Sequence, residues 1–222
     1  MQVLSIVGQK GGTGKTTLAQ CLAVAGTQDG LSVLILDLDP QANAANWYDR
    51  REDKEKPLVT TAPPGRLSQA LDAARSSDVD LVIIDTPGKL EGPALAAVDR
   101  ADLVLIPVQP QINDLETLAA TQMLLHSVGD RPALAILSAV PIAGKRHEEA
   151  RDFIKALNIP VCPAMLSRRA AFGDAPTLGL AAQEFDPTGK AAEEVKQVYK
   201  FTMKLLKEMA NEAGPVERLA AG

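Results

Sequence analysis

The stretch Gly8-Gln9-Lys10-Gly11-Gly12-Thr13-Gly14-Lys15-Thr16-Thr17 follows directly on the apolar run VLSIV. A glycine-rich turn closing on Gly-Lys-Thr, set between an apolar run and a helix-forming one, is the pattern of a strand, a phosphate loop and a helix. Successive backbone N–H groups from about Gly11 to Thr17, with the positive end of the following helix, can enclose a β-phosphate. Lys15 then neutralises β/γ oxygens and the Thr16 hydroxyl can ligate Mg²⁺. The ordinary spacing G-x-x-x-x-G-K-[ST] asks for glycine at position 9, where Gln9 stands. A glycine occurs one place earlier, at Gly8, and an additional lysine, Lys10, sits beside the double glycine.

The rest of the chain reads as repeated units of the same kind. Short apolar runs recur in VLSIVG, LSVLILD, DLVIID, ADLVLIPV and PALAILSAV. Runs of this length separated by helical stretches are the mark of parallel strands covered on both faces. The expected helices cover 15–28, 41–50, 67–75, 93–100, 114–127 and 145–157, with a longer one over 190–211. The expected fold is α/β, a mostly parallel twisted sheet with helices on both faces, as in P-loop NTPases. With 222 residues, one domain over 1–222 with a short flexible tail from about 212 is the economical reading.

No apolar run approaches the length of a membrane span, and the opening MQVLSIVG lacks a basic leader, so a cytoplasmic protein is expected. Cys21 and Cys162 stand far apart, which offers no C-x-x-C metal site or disulfide framework and points to buried free thiols. His126 and His147 lie on different helical segments with no third ligand nearby in sequence. The net charge of -5 excludes a uniformly basic surface, so any nucleic-acid binding must come from a local patch.

Two further runs end in carboxylates. LVIIDTPG places Asp85 at the carboxyl end of a buried strand, the position of a carboxylate in the magnesium shell, and Gly88 could present its N–H to a γ-phosphate. VLILDLDPQAN places Asp37 and Asp39 just before Pro40. Asp39 is assigned the attacking water and Asp37 a role near magnesium, with capping of the next helix as the alternative for Asp37. The absence of an N-K-x-D guanine-reading motif favours adenine.

These motifs together resemble the deviant-Walker-A ATPases of the ParA/MinD family. KGGTGKTT from Lys10, DLDPQ from Asp37 and IDTP from Ile84 are similar to the family's three signatures. IPVQPQINDLE from Ile106 and SRRAAFGDAPTLGLAAQEFDP from Ser167 extend the likeness over nearly the whole chain. The resemblance implies that Lys10 reaches across an ATP-sandwich homodimer to the partner subunit's phosphates. Chemically, such a lysine resembles an arginine finger, absent until two subunits meet. ATP and Mg²⁺ are the implied cofactors. The tail NEAGPVERLAAG lacks the basic, bulky-apolar composition of a membrane-surface helix, and the cysteines of iron–sulfur carriers and the tyrosine cluster of bacterial tyrosine kinases are missing.

What remains resembles the small partition ATPases. That implies non-specific DNA binding by the ATP dimer, nucleoid association in that state, and release by a ParB-like or other centromere-binding partner that stimulates hydrolysis. For the DNA surface, Lys196, Lys200, Lys204 and Lys207 recur at helical spacing on one face. Arg168 matches an arginine of the family's DNA-contacting region. Arg169 stands beside it, and the family's usual second arginine aligns with Ala171. Two alternatives stay open: a cargo-positioning switch whose ATP dimer binds a protein or membrane surface, and a P-loop metabolic synthetase in which Lys10 serves its own subunit.

Overall fold

The computed structural model describes residues 1–89 and 92–212; the expected tail falls outside them, apart from its first residue. Six strands form one parallel sheet: β1 (Gln2–Ile6), β2 (Val33–Asp37), β3 (Leu58–Thr61), β4 (Leu81–Asp85), β5 (Leu103–Val108) and β6 (Ala133–Leu137). Their spatial order is β3-β2-β4-β1-β5-β6, so the chain runs outward from β1 to one edge, returns, and completes the other side. The turn-back point lies at β1, between β4 and β5. That is where an open α/β sheet leaves a crevice beyond its carboxyl edge.

Ten α-helices accompany the strands among the described residues: α1 (Lys15–Gln28), α2 (Asn43–Arg50), α3 (Leu67–Ser76), α4 (Gly92–Asp99), α5 (Ile112–Leu115), α6 (Leu118–Ser127), α7 (Arg146–Ala156), α8 (Ala171–Asp174), α9 (Ala182–Phe185) and α10 (Lys190–Glu212). The two-residue period of a strand sends alternate side chains to opposite faces. Leu4 and Ile6, Ile83, Leu105 and Ile136 join α1, α2, α9 and α10 on one face. Val3, Val82 and Ile84 meet α3 on the other, and Val104, Ile106 and Leu137 meet α4 to α7 there. Each fully buried side chain of this size contributes about 1.5–3 kcal/mol. A sheet apolar on both faces therefore folds only when helices cover both.

Three expectations are corrected. The sequence reading named five strands, but a sixth, β3, pairs with β2 at the sheet edge. Leu58, Thr60 and Thr61 are exposed, so this strand lacks the apolar run by which the others announce themselves. The expected helix over 114–127 breaks in two between Leu115 and Leu118, and α8 and α9 fall in a stretch read without helices. Both cysteines are free and buried.

One buried polar assembly fastens α2 to the α8–α9 region. The guanidinium of Arg51, 6% exposed, lies 4.7 Å from the ring centroid of Trp47. It donates to both carboxylate oxygens of Glu184 at 2.9 and 2.7 Å and to the Gly179 carbonyl at 3.0 Å. Trp47 Nε1 donates to the Leu180 carbonyl at 3.0 Å. Trp47 is thus a packing residue, and α2 is held at both its apolar and its polar face.

Candidate active site

At the carboxyl edge β1, β4 and β2 end in register: Ile6 pairs with Asp85, and Asp85 with Asp37. The Thr86 hydroxyl donates to the Ile6 carbonyl at 2.7 Å and ties the loop after β4 to the start of the phosphate loop. Gly12 and Gly14 take φ of 79° and 92°, a left-handed conformation that glycine adopts without a Cβ penalty. The loop is fastened from the far side as well. Gln109, after β5, donates to the Gly12 carbonyl at 2.9 Å. Ser138, after β6, donates to the Thr13 carbonyl at 2.8 Å. The first turn of α1 contains no acidic residue, so its N–H groups and positive dipole end are left to an anion.

Lys15 is buried at 7% exposure, and its Nζ donates to the Lys10 carbonyl at 3.0 Å. Burial lowers its pKa against the pull of Asp85 and Asp39. Lys10 points elsewhere. Its ammonium forms an ion pair with Asp114 of α5, a carboxylate that is 2% exposed. The two lysines of the loop are therefore divided: Lys15 is buried beside the carboxylates, and Lys10 is held by Asp114 of the same chain.

The carboxylates differ just as clearly. Asp37 is 1% exposed, and both its oxygens are engaged: one accepts from the Asp39 N–H at 3.0 Å, the other from those of Ala44 and Ala45 at 2.9 and 3.1 Å. It caps α2, the alternative role read for it in the sequence. Asp39, half-buried, accepts from the Gln41 N–H at 2.9 Å and lines the same cavity as Lys15 and Thr16. Asp85 is fully buried, and neither of its oxygens has a hydrogen-bond partner. Burial pushes its pKa up to about 7, opposed by the neighbouring Thr16 hydroxyl and Lys15 and reinforced by Asp37. A buried carboxylate with free lone pairs beside a threonine hydroxyl fits a magnesium shell, which takes few protein ligands and completes itself with water and phosphate oxygens.

This carries a prediction for the nucleotide-free chain. With a folded-state pKa near 7 and an unfolded value of 3.8, the Asp85 contribution to stability is fully present below about pH 4 and is lost as pH rises through 7. Asp85→Asn should remove that slope and raise the nucleotide-free melting temperature at pH 8. Thermal scans of both proteins from pH 5 to 8 test it; parallel profiles would contradict the assignment.

Two cavities flank the phosphate loop and share Gly12, Gly14 and Thr17. The larger, about 760 Å³, is bounded by Lys15, Thr16, Asp39 and Gly88. The smaller, about 220 Å³, is bounded by Ser138, Arg168, Arg169 and Phe172. A Cβ at Gly88 would lie 3.2 Å from the Gly11 nitrogen, so the loop after Asp85 packs tightly on the phosphate loop, and any side chain there would press on Gly11.

A family model for the CobQ/CobB/MinD/ParA nucleotide binding domain matches residues 4–212. The chain belongs to the ParA/MinD family. This is a family of P-loop ATPases. The chain is 30% identical over 202 residues to maintenance of carboxysome distribution protein A of Gloeobacter kilaueensis, covering 90% of this chain and 91% of that one. It is 27% identical over 240 residues to the chromosome-partitioning ATPase Soj of Thermus thermophilus, covering 92% and 96%. Among solved structures, MinD of Pyrococcus horikoshii in complex with Mg-ADP superposes with a TM-score of 0.77 at 23% identity, covering 94% of this chain and 98% of that one. At that identity the likeness is one of fold.

The residues read as DNA-contacting differ in their surroundings in this ParA/MinD chain. Lys196, Lys200, Lys204 and Lys207 are exposed on α10, with Lys204 3.6 Å from Glu208. Arg168 is exposed and borders the smaller cavity. Arg169 is turned inward, with Nη2 2.6 Å from Glu194, which also accepts from the Ser167 N–H and hydroxyl. Sequence reasoning missed Asp114, Ser138, Gln109 and Glu194. Each acts on a residue at least 25 positions away, a pairing no local pattern reveals. Among the described residues no helix is long and apolar enough to cross a membrane.

Proposed function

We propose that this chain is a ParA-type partition ATPase that closes into a homodimer around ATP and Mg²⁺, binds DNA without sequence preference as that dimer, and hydrolyses ATP slowly until a ParB-like or centromere-binding partner stimulates it, driving plasmid or chromosome segregation. The observation that supports this most directly is the position of Lys10. A single subunit keeps it paired to Asp114, so the cation it would lend to the opposite subunit's site is withheld until something displaces it.

In this reading the smaller cavity takes the adenine end and the larger one the β- and γ-phosphates. Lys15 and the N–H groups of Gly11 to Thr17 hold the phosphates. Asp39, anchored by the Gln41 N–H, orients the attacking water and receives its proton. Thr16 and, through water, Asp85 would hold Mg²⁺, which when bound would neutralise phosphate charge. Asp37 was read in the sequence as close to the metal. Since both its oxygens accept backbone N–H groups, its part here is to fix Asp39 and the start of α2. The Gly88 N–H faces the γ-phosphate, and Lys10 of the opposite subunit completes each site.

Electrophoretic retardation of arbitrary duplex DNA with ATP, ADP and no nucleotide tests the proposal, retardation with ATP alone being expected. Replacing Lys196, Lys200 and Lys204 with glutamine should lower the slope of log affinity against log salt by about one per lost phosphate contact. An unaltered slope assigns DNA binding to Arg168 or Lys207. The second reading, a cargo-positioning switch that binds a protein surface, is favoured by the likeness to the carboxysome-distribution proteins. Absence of retardation in all three nucleotide states would select it.

A further inference from the structure

We propose that Lys89 binds the γ-phosphate within its own subunit and sets the preference of the monomer for ATP over ADP; this rests on the proposed ATPase reading. Lys89 follows Gly88 at the end of the loop after β4 and lines the larger cavity. Among the described residues bounding that cavity, it and Lys15 are the only cations. Its side chain is exposed and takes no hydrogen-bond or ion-pair partner among the described residues.

The two cavities give the nucleotide a direction. Their shared wall, Gly12, Gly14 and Thr17, is the middle of the phosphate loop. A nucleotide whose base enters beside Phe172 and Arg168 must run its phosphates across that wall, so the last phosphate reaches the chamber of Asp39, Gly88 and Lys89. The close approach of Gly88 to Gly11, 3.2 Å for a Cβ, carries the Lys89 backbone alongside the loop. A lysine's flexible four-carbon stem then lets its ammonium reach a phosphate oxygen as a point charge.

Charge strengthens the argument. Asp39 lines this chamber, and Asp37 and Asp85 lie buried beneath it. A terminal phosphate entering there meets carboxylates. Lys15 is occupied with the Lys10 carbonyl and placed for the middle of the chain of phosphates, and Lys10 is held by Asp114. The chamber of the lone subunit is left with one uncommitted cation at its γ end.

The test is calorimetric titration of wild type, Lys89→Gln and Lys89→Arg with Mg-ADP and with the β,γ-imido analogue of Mg-ATP. Losing one charge-assisted hydrogen bond should weaken the triphosphate about tenfold in Lys89→Gln while leaving ADP within about twofold. Lys89→Arg should restore most of the difference. Unchanged ADP binding also shows that the variant is folded. Equal weakening of both nucleotides, or of neither, overturns the assignment to the γ-phosphate. If wild type binds neither nucleotide, the ATPase reading itself fails, a result distinct from the first.

Discussion

Lys15→Ala is expected to abolish ATP binding at concentrations where wild type is saturated, a loss of about two to three orders of magnitude. In the proposed site Lys15 would supply the fixed charge of the cradle, and charge-assisted contacts to two phosphate oxygens would each be worth about 1.5–3 kcal/mol. Nothing nearby replaces it: Lys10 is held by Asp114, and Lys89 is assigned to the γ-phosphate. The ammonium also offsets the buried charge of Asp85, so its removal leaves that carboxylate more costly to ionise. Calorimetric titration with ATP, alongside circular dichroism to verify the fold, gives the answer. Retained affinity in a folded variant would refute the role.

The second large effect concerns Lys10 and Asp39 together. Lys10→Ala should bind ATP close to wild type, since the N–H cradle, Lys15 and Thr16 remain, yet should neither dimerise stably nor hydrolyse. Two γ-phosphates would then face each other without the cation that each subunit lends to its partner's site. Asp39→Ala should bind ATP and accumulate as a dimer without turnover. Mixing these two inactive proteins should restore hydrolysis at one site of each mixed dimer, the one whose own subunit keeps Asp39 and which receives Lys10 from its partner. Mixed dimers seen by light scattering without recovered hydrolysis would place Lys10 in its own subunit's site, as a metabolic synthetase would use it.

The parts of this architecture legible in the sequence are those whose determinants are contiguous. The bounds of α1 were read residue for residue because a glycine turn starts it and a buried, strongly apolar helix follows. The phosphate loop was legible because its chemistry is carried by adjacent N–H groups. Strand β3 escaped because a short edge strand with only Val59 half-buried has no periodic signature. The break after α5 escaped because the helical pattern of the following residues continues through it. At the site, the side chains were named but their partners were not. Arg169 was read as a candidate DNA contact, and Glu194, 25 residues away, holds it. Glu184 of the Arg51 assembly lies 133 residues from its arginine, and only the completed fold joins them.

The Lys10–Asp114 pair has a further consequence in the proposed dimer, which concerns how assembly responds to protein concentration. Closure requires both chains to have released their lysine at once. If a fraction of chains is open at any instant, the frequency of productive encounters follows the square of that fraction. A tenfold firmer pair therefore thins the pool of competent encounters about a hundredfold, while costing each chain only one factor of ten. With Lys10 44% exposed over a buried Asp114, ionic strength acts on this fraction directly. A modest ion pair inside one chain thus sets a steep, second-order threshold for two.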